Sequence, residues 1–290
     1  MKTINFRKFH GFGNDYLVIE GEHLEAIDDL GEFARRICHR HTGVGADGVA
    51  LIEKSASPAA DFACRIINPD GSEAGFSGNG TRCAVASLYD DGRWPDKTLR
   101  LATQSGVKNY ELLRREDRTF WFLAELGRPK FESLAGAPSA ADSDGAASKE
   151  SGLLLPGEEL AVRFVYVDVG NPVAVVFLKD FSEINWRRVG SRIETAPIFP
   201  DRTNVVFVKI VDRQNIEIRI WERAAGETSS SGTCSIAAAV ASAYTDKTER
   251  AVAVHAEGGT TEAVWRAEDD EMMITGRADF VCSGDYYPGK

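Results

Sequence analysis

The feature that most constrains the fold is an internal repeat: short motifs in the first half of the chain recur in the same order in the second half. The matched pairs are Gly13-Asn14 with Gly170-Asn171, Asp47 with Asn204, Asn68 with Glu222, and Ser77 with Ser231. The separation is 157 residues for the first two pairs and 154 residues for the last two. Because an ordered series at a nearly constant offset does not arise by chance, we infer two structurally similar halves.

The residue pattern of each half predicts several strands around one buried helix. Apolar runs between turn residues predict strands over 3–9, 16–19, 49–52, 62–67, 99–102, 110–114 and 120–124, and helical spacing predicts a helix over 28–40. The alanine-rich segments after Ser77 and Ser231 each predict an apolar helix. The expected fold class is α+β, with two pseudo-symmetric strand-rich halves, each wrapped around a central helix, and an active-site cleft between them.

The boundary between the halves is expected in a segment of small and polar residues. Residues 133–157 are rich in Ala, Ser, Gly and Asp, and this composition predicts a linker or an exposed loop. The expected domains are an N-terminal half over 1–132 and a C-terminal half over 158–290. The last strand of the second half can pack on the first half.

Composition limits the partners and the location of the chain. A length of 290 residues is enough for two domains with their own cores, and a net charge of −10 argues against nucleic acid as a partner. No apolar stretch approaches the length that spans a membrane. The five cysteines are an odd number without CxxC spacing, which is typical of a reduced cytoplasmic protein. We therefore expect a small-molecule ligand, and a homodimer is compatible with the sequence.

The turns that open the two alanine-rich helices predict a binding site for a carboxylate. A Ser-Gly pair, Ser77-Gly78 or Ser231-Gly232, directly precedes each helix. The first N–H groups of a helix have no partner within it and lie at the positive end of its dipole, so they suit an anion. A Ser-Gly turn is by itself more often a simple helix cap, but its duplication favours a site.

Polar residues at equivalent turns and strand ends are predicted to converge on the ligand. They are Asn14, Asn68, Ser77, Asn171, Asn204, Glu222 and Ser231, and Arg223 adds a bidentate partner for a carboxylate. Opposed groups from two similar halves suit proton transfer without a cofactor, in which one side removes the α-proton of an amino acid and the other returns a proton to the opposite face. The segment 38–41 has two histidines and a cysteine but no further ligand at suitable spacing, so no metal site is predicted.

These motifs resemble those of the diaminopimelate epimerase family, and the likeness covers most of the chain. The motifs are His10–Asp15, Gly43–Gly48, Asn68–Glu73, Ser77–Cys83, Gly170–Pro172, Arg202–Asn204, Trp221–Arg223, Gly226–Thr228 and Gly232-Thr233. The resemblance implies a fold similar to that of proline racemases and phenazine-biosynthesis isomerases, without pyridoxal phosphate or a metal. It also implies a reaction in which two cysteines act as base and acid on the α-carbon of a diamino diacid. That reaction converts L,L- to meso-diaminopimelate in lysine and peptidoglycan biosynthesis.

Carried over by position, the resemblance implies a set of site residues. Substrate contacts fall to Asn14, Asn68, Asn171, Asn204, Glu222 and Arg223, with the backbone of Gly78, Asn79, Gly232 and Thr233 around the reacting carboxylate. The two catalytic positions are Ser77 and Ser231, where the family has cysteine. A thiol titrates near pKa ~8.5, whereas a serine hydroxyl is a far weaker acid and needs a neighbouring base.

Two explanations of the paired serines stay open: engineered substitutions that trap substrate, or a naturally divergent homologue. Val173 stands where the family usually has histidine after Gly-Asn-Pro, and Ser229-Ser230 and Cys234-Ser235 also differ from the usual neighbours of the second cysteine. An engineered trap would leave such neighbours unchanged, so natural divergence is favoured.

Three functions are compatible with this pattern. The leading one is a cofactor-independent amino-acid isomerase of this family. The second is an isomerase or dehydratase of the phenazine-biosynthesis kind with a carboxylate base, for which Asp47, Asp70, Glu222 and Glu227 are candidates. The third is a homologue that binds an amino diacid without turning it over.

Overall fold

The computed structural model describes residues 3–24, 27–131, 139–141, 147–155 and 161–288, of which 139–141 and 147–148 are described by their backbone alone. The chain divides into two units. The first consists of residues 1–125 together with 275–290, and the second consists of residues 126–274.

The first unit consists of strands with two helices between them. Its strands are β1 (Ile4–Gly11), β2 (Asn14–Glu20), β3 (Val49–Lys54), β4 (Phe62–Ile67), β5 (Glu73–Ala74), β6 (Thr98–Thr103), β7 (Gly106–Glu116) and β8 (Thr119–Gly127), which ends in the second unit. Its helices are α1 (Leu30–Cys38) and α2 (Gly78–Asp90), and a 3-10 helix spans Gly21–Leu24.

From β12 (Ala161–Asp168) onward, the second unit repeats the succession of elements of the first, and three further strands precede it. Its strands are β9 (Lys130–Phe131), β10 (Ser139–Ala141), β11 (Ala147–Leu154), β12 (Ala161–Asp168), β13 (Pro172–Leu178), β14 (Asn204–Ile210), β15 (Asn215–Glu222), β16 (Gly226–Thr228), β17 (Ala251–Ala256) and β18 (Gly259–Trp265). Its helices are α3 (Trp186–Glu194) and α4 (Gly232–Tyr244), and a 3-10 helix spans Phe181–Glu183. The last strand, β19 (Met272–Tyr286), begins in this unit and continues into the first.

Strand pairing repeats between the two units. In the first, β2 and β3 are parallel, β3 and β4 are antiparallel, and β4 and β6 are parallel. In the second, β13 and β14 are parallel, β14 and β15 are antiparallel, and β15 and β17 are parallel. The predicted α+β fold with two similar strand-rich halves is therefore confirmed.

Helices α2 and α4 occupy the centre of their units, as predicted. All residues from Gly78 to Tyr89 in α2 and from Gly232 to Ser242 in α4 are buried. Helix α2 contacts β1, β2, β3 and β4, and helix α4 contacts β12, β13, β14, β15, β17 and β18. A helix without a polar face is stable in water only when other elements surround it, so the alanine-rich segments require this position.

A second, amphipathic helix covers each sheet. Helix α1, predicted over 28–40, begins after its N-cap Asp29 and buries Phe33 and Ile37 in an apolar cluster with the strands. Helix α3 buries Trp186 and Ile193 in the corresponding cluster of the second unit. The sequence interpretation did not identify α3, although its apolar residues recur at helical spacing.

The interval 133–157, interpreted as a linker or loop, contains strands where it is described. Strand β11 pairs antiparallel with β12, in the register of Leu153 with Val162. Leu153 and Leu155 are buried in the core of the second unit. Burial of these two alternating leucines favours a strand here, although the residues around them are small and polar. Residues 133–138, 142–146 and 156–157 of the interval lie outside the described residues. Within the described parts of the chain, no helix is both long and apolar enough to cross a membrane.

Candidate active site

The hydroxyl of Ser77 caps helix α2 at the first of the two predicted helix starts. Ser77 has an extended backbone, and its Oγ accepts a hydrogen bond from the N–H of Gly80 at 3.1 Å. The same Oγ lies 2.9 Å from the hydroxyl oxygen of the buried Tyr16. Helical geometry leaves the N–H groups of Gly78 and Asn79 without an acceptor inside the helix. This start therefore combines a hydrogen-bonded pair of hydroxyls with backbone donors suited to an anion.

A chain of hydrogen bonds links Asn79 to strand β2. Asn79 Nδ2 donates to Oδ1 of Asn14 at 3.2 Å, and Asn14 Nδ2 donates to Oδ2 of Asp47 at 3.0 Å. The buried guanidinium of Arg82 donates to Oδ1 of Asn79. Because each amide has a donor on one side and an acceptor on the other, these bonds fix the orientation of both amides. The structure thus joins Asn14 and Asn79, two of the predicted site residues.

Asn68, a third predicted residue of the first unit, is engaged elsewhere. It directly follows β4, and its Nδ2 donates to Oγ of Ser72 at 3.0 Å. Its backbone N–H donates to the carbonyl of Ser72 at 2.8 Å, which closes the turn between β4 and β5. Asn68 is partly exposed, and no hydrogen bond of the described residues joins its amide to Asn14 or Asn79.

The carboxylates of Asp15 and Asp47 share a cation. Arg40 donates to the two oxygens of Asp15 at 3.0 and 2.8 Å and to Asp47 at 2.7 Å. The ammonium of Lys8 lies 2.7 Å from Asp15. Burial raises the pKa of Asp15, but the hydrogen bonds from Arg40 and Lys8 outweigh it and hold the pKa below its usual value. The carboxylate of Asp47, a candidate base, thus accepts hydrogen bonds from Arg40 and from the amide of Asn14.

The hydroxyl of Ser231 stands at the equivalent start of helix α4 but has a different partner. Its Oγ donates to Oε2 of Glu222 at 3.0 Å and lies 3.3 Å from Oγ1 of Thr233. The cap bond from the N–H of Cys234 is long, at 3.5 Å. Thr228 Oγ1 donates to the other carboxylate oxygen of Glu222 at 2.7 Å. This start therefore joins a buried hydroxyl to a half-buried carboxylate.

Asn204 ties the strand ends around Glu222 together. Its buried side chain accepts from the N–H of Arg223 at 3.0 Å through Oδ1 and donates to the carbonyl of Pro172 at 2.9 Å through Nδ2. Asn171 directly precedes Pro172, in the turn between β12 and β13. The guanidinium of the exposed Arg223 donates to the carbonyl of Asp201 at 3.1 Å. The predicted residues of the second unit thus gather at the ends of β13, β14 and β15.

Two other candidate bases are held away from the cap serines. Asp70 accepts from the hydroxyl of Ser72 at 2.6 Å and from its N–H at 2.9 Å, and these bonds hold the pKa of Asp70 below its usual value. Glu227 accepts from Arg187 through both oxygens at 2.6 Å, which lowers the pKa of Glu227. Among the described hydrogen bonds of the candidate bases, the one between Glu222 and Ser231 reaches a cap serine.

The cysteines near the two helix starts do not take the place of the serines. Cys83 and Cys234 are fully buried inside α2 and α4, and burial raises the pKa of both thiols. A thiol with a raised pKa and no access to solvent is a poor acid or base. The described residues also contain no group of three or more His, Cys, Asp or Glu side chains that could hold a metal ion.

Comparison with known proteins identifies the family. A sequence model described as diaminopimelate epimerase matches residues 6–131 and 165–281. The diaminopimelate epimerase of Desulfovibrio desulfuricans is 36% identical over 287 residues, which cover 98% of this chain and 99% of that protein. The chain belongs to the diaminopimelate epimerase family. Its class is therefore that of the cofactor-independent isomerases, as the sequence motifs indicated.

Solved structures of two other proteins share the fold. A hydroxyproline epimerase from Agrobacterium vitis with bound trans-4-hydroxy-L-proline has a TM-score of 0.71 and 16% identity, and the match covers 98% of this chain and 92% of that one. A phenazine biosynthesis protein of the PhzF family from Bacillus anthracis has a TM-score of 0.65 and 19% identity, with 98% and 99% covered. At such low identities the likeness concerns the fold.

Sequence reasoning missed three residues that organise the site. Tyr16 is bonded to Ser77, and Thr228 is bonded to Glu222. The buried Glu194, at the end of α3, accepts from the indole N–H of Trp221 at 2.8 Å and from the N–H of Ala224 at 3.0 Å. It thereby holds the segment that carries Glu222. Of these three residues, only Thr228 lies in one of the motifs that resemble the family, so only Thr228 could have been found from the sequence.

Proposed function

We propose that the chain is an epimerase that acts on an amino diacid, diaminopimelate, by proton transfer at the α-carbon without a cofactor. The observation that carries the proposal is the pair of equivalent helix starts. Each start has a cap serine hydrogen-bonded to a second group that can carry a proton, and each has backbone N–H groups suited to a carboxylate. The choice of diaminopimelate as substrate, and the role in lysine and peptidoglycan biosynthesis, are inferred from membership of the family.

In this proposal, Ser77 and Ser231 act on opposite faces of one α-carbon. One serine removes the α-proton while the other returns a proton to the opposite face. The N–H groups of Gly78, Asn79, Gly232 and Thr233 bind the α-carboxylate and stabilise the negative charge that develops on it when the proton leaves. This assignment requires both serines to reach the same substrate molecule at a place from which water is excluded.

The remaining residues of the proposed site bind the parts of the diacid that do not react. Arg223 supplies a guanidinium for the distal carboxylate, since its carbonyl contact leaves other N–H groups of the fork for a ligand. The amides of Asn14, Asn68, Asn171 and Asn204 supply donors and acceptors for the distal amino and carboxylate groups.

Deuterium incorporation tests the proposed function directly. The purified protein is incubated with L,L-diaminopimelate or with the meso form in heavy water, and NMR follows deuterium at the α-carbon and the ratio of the two forms. A double variant, Ser77→Cys with Ser231→Cys, restores the family's usual acids and is expected to epimerise the substrate faster. Absence of exchange and of epimerisation in both proteins would refute the proposal.

A second candidate is an isomerase or dehydratase with a carboxylate base, and the bond between Ser231 and Glu222 favours it. Such an enzyme would act on hydroxy or unsaturated acids, which the two-thiol reaction does not process. A panel of these acids separates the candidates: turnover of any member without turnover of diaminopimelate would favour the second. Thermal stabilisation by an amino diacid without turnover of any compound would indicate a binding protein.

The proposal also includes a cytoplasmic location and a homodimer. The odd number of cysteines without CxxC spacing supports the location, and the net charge of −10 supports a small-molecule partner rather than nucleic acid. Sedimentation of the purified protein tests the homodimer.

A further inference from the structure

Helix α2 contains a buried cation near its start. Arg82 is 1% exposed, and its Nη2 donates to Oδ1 of Asn79. Its Nε and Nη1 have no hydrogen-bond partner among the described residues, and no carboxylate of those residues forms an ion pair with it. Burial lowers the pKa of Arg82, but a guanidinium keeps its proton in a protein. The interior of the first unit therefore holds a positive charge that no carboxylate directly neutralises, and such a charge is costly to bury.

Two glycines of the surrounding strands leave room for Arg82 and Asn79. A Cβ at Gly276 on β19 would lie 2.6 Å from Cζ of Arg82. A Cβ at Gly11 on β1 would lie 2.8 Å from Oδ1 of Asn79. The matching residue of α4, 154 residues after Arg82, is the fully buried Ile236. The repeat therefore carries a buried cation at the first helix start and an apolar side chain at the second.

The hydrogen bonds around Arg82 lead to predicted site residues of the same unit and leave one positive charge in excess. Asn79 donates to Asn14, and Asn14 donates to a carboxylate. That carboxylate and its neighbour contact two further cations. The charged groups of this network are three cations and two carboxylates, namely Lys8, Arg40, Arg82, Asp15 and Asp47. The network is therefore short of one negative charge, and the helix start at Asn79 is where a carboxylate is expected to bind.

We propose that Arg82 is a positioning residue of the reaction: it fixes Asn79 at the helix start and supplies the positive charge that stabilises the substrate after the α-proton has left. This inference rests on the proposed function, which it deepens by naming the source of that charge. When the Cα–H bond breaks, the proton passes to a cap serine and the electron pair delocalises into the reacting carboxylate. The negative charge on that group thereby grows. A fixed cation interacts more strongly with the more highly charged state, so it lowers the barrier more than it tightens binding.

Arg82→Met tests this inference, because methionine has a similar size and carries no charge. The variant is made in the unmodified protein and in the Ser77→Cys, Ser231→Cys variant, and deuterium exchange at the α-carbon of diaminopimelate is measured in heavy water at neutral pH. In each background that exchanges, we expect kcat to fall at least about 10-fold, whereas KM should rise by less than about 3-fold. Arg82→Lys keeps a charge, and its kcat should exceed that of Arg82→Met by at least about 3-fold.

Thermal unfolding separates a role in the reaction from a role in the fold. Arg82→Met removes a buried charge that has no carboxylate partner, so the melting temperature should rise or should fall by less than about 2 °C. Stabilisation by meso-diaminopimelate should persist in this variant. The matched control is Ile236→Met, which places the same side chain at the corresponding position of α4. Because this exchange nearly conserves volume, we expect kcat and KM to stay unchanged.

The outcomes distinguish this inference from the function on which it rests. A smaller fall in kcat than expected, a rise in KM that exceeds the fall in kcat, or equal rates in Arg82→Met and Arg82→Lys would overturn the role of the charge and leave the epimerase function standing. A melting temperature that falls by more than about 2 °C in Arg82→Met would assign the guanidinium to the fold and overturn the inference as well. If neither the unmodified protein nor the double cysteine variant exchanges the α-hydrogen, the proposed function fails and the inference fails with it.

Discussion

Replacement of Glu194 by glutamine should destabilise the second unit, because this buried carboxylate accepts hydrogen bonds from Trp221 and Ala224 that an amide cannot both accept. The substitution also removes the ion pair of Glu194 with the guanidinium of Arg202 at 3.4 Å. Oε2 accepts from the indole N–H of Trp221 at 2.8 Å, and Oε1 accepts from the N–H of Ala224 at 3.0 Å. Glutamine offers one oxygen, so its NH₂ group must face one of these two donors. A buried donor left without an acceptor costs about 1–3 kcal/mol, and we expect about 2 kcal/mol for Glu194→Gln.

Thermal unfolding measures this loss. For a unit of about this size, 1 kcal/mol corresponds to roughly 2–4 °C, so the melting temperature should fall by about 4–8 °C. The fluorescence of Trp221 should change in the folded state, because its indole N–H loses a carboxylate partner. Glu183→Gln, on the exposed 3-10 helix of the same unit, is the matched control and should change stability by less than about 0.5 kcal/mol. Equal melting temperatures for the two variants would show that the Glu194 bonds do not stabilise the segment after β15.

Two further predictions concern the first unit. Gly276→Ala should lower the free energy of unfolding by about 1–3 kcal/mol, because the new Cβ would lie 2.6 Å from Cζ of the buried Arg82. The control is Gly75→Ala, whose new Cβ meets nothing within 4 Å. It should leave stability unchanged in the same denaturation assay. The lowered pKa of Asp15 stabilises the fold above the ordinary pKa of 3.8, and this contribution is lost as the pH falls through the lower folded value. Arg40→Gln should therefore reduce the free energy of unfolding at pH 7. Between pH 7 and pH 3, the variant should lose less of that free energy than the unmodified protein. An equal loss for both proteins, measured by urea unfolding, would contradict this reasoning.

The repeat explains why the architecture could be predicted. Matching Ser77 with Ser231 identifies the N-caps of α2 and α4. Matching Asp47 with Asn204 identifies β3 and β14, which begin at or just after these residues and each lie parallel to the strand before them. The apolar, alanine-rich sequence of α4 predicts that strands surround it, and the repeat extends this prediction to α2. These features are local in sequence or periodic, which is why pattern analysis finds them.

The partners of the two serines could not be predicted in the same way. Tyr16 and Ser77 are 61 residues apart, and they meet because α2 packs on β2. Glu194 reaches Trp221 across 27 residues, from a helix that was itself not predicted. Pairs of this kind depend on sheet register and side-chain direction, and a single sequence carries neither. The difference between the two helix starts is thus a finding of the structure.

The route of strand β19 has a consequence for how the protein is made. Residues 279 to 286 pair with β1, so that Ile4 lies opposite Tyr286 and Phe9 lies opposite Phe280. On the ribosome, the part of β19 that pairs with β1 is synthesised only after the whole second unit, so β1 cannot be covered on both sides before then. Closing so long a loop costs chain entropy, so we expect the pairing of β1 with β19 to slow the folding of the first unit. Substitutions that weaken the pairing of residues 279 to 286 should consequently also loosen β1.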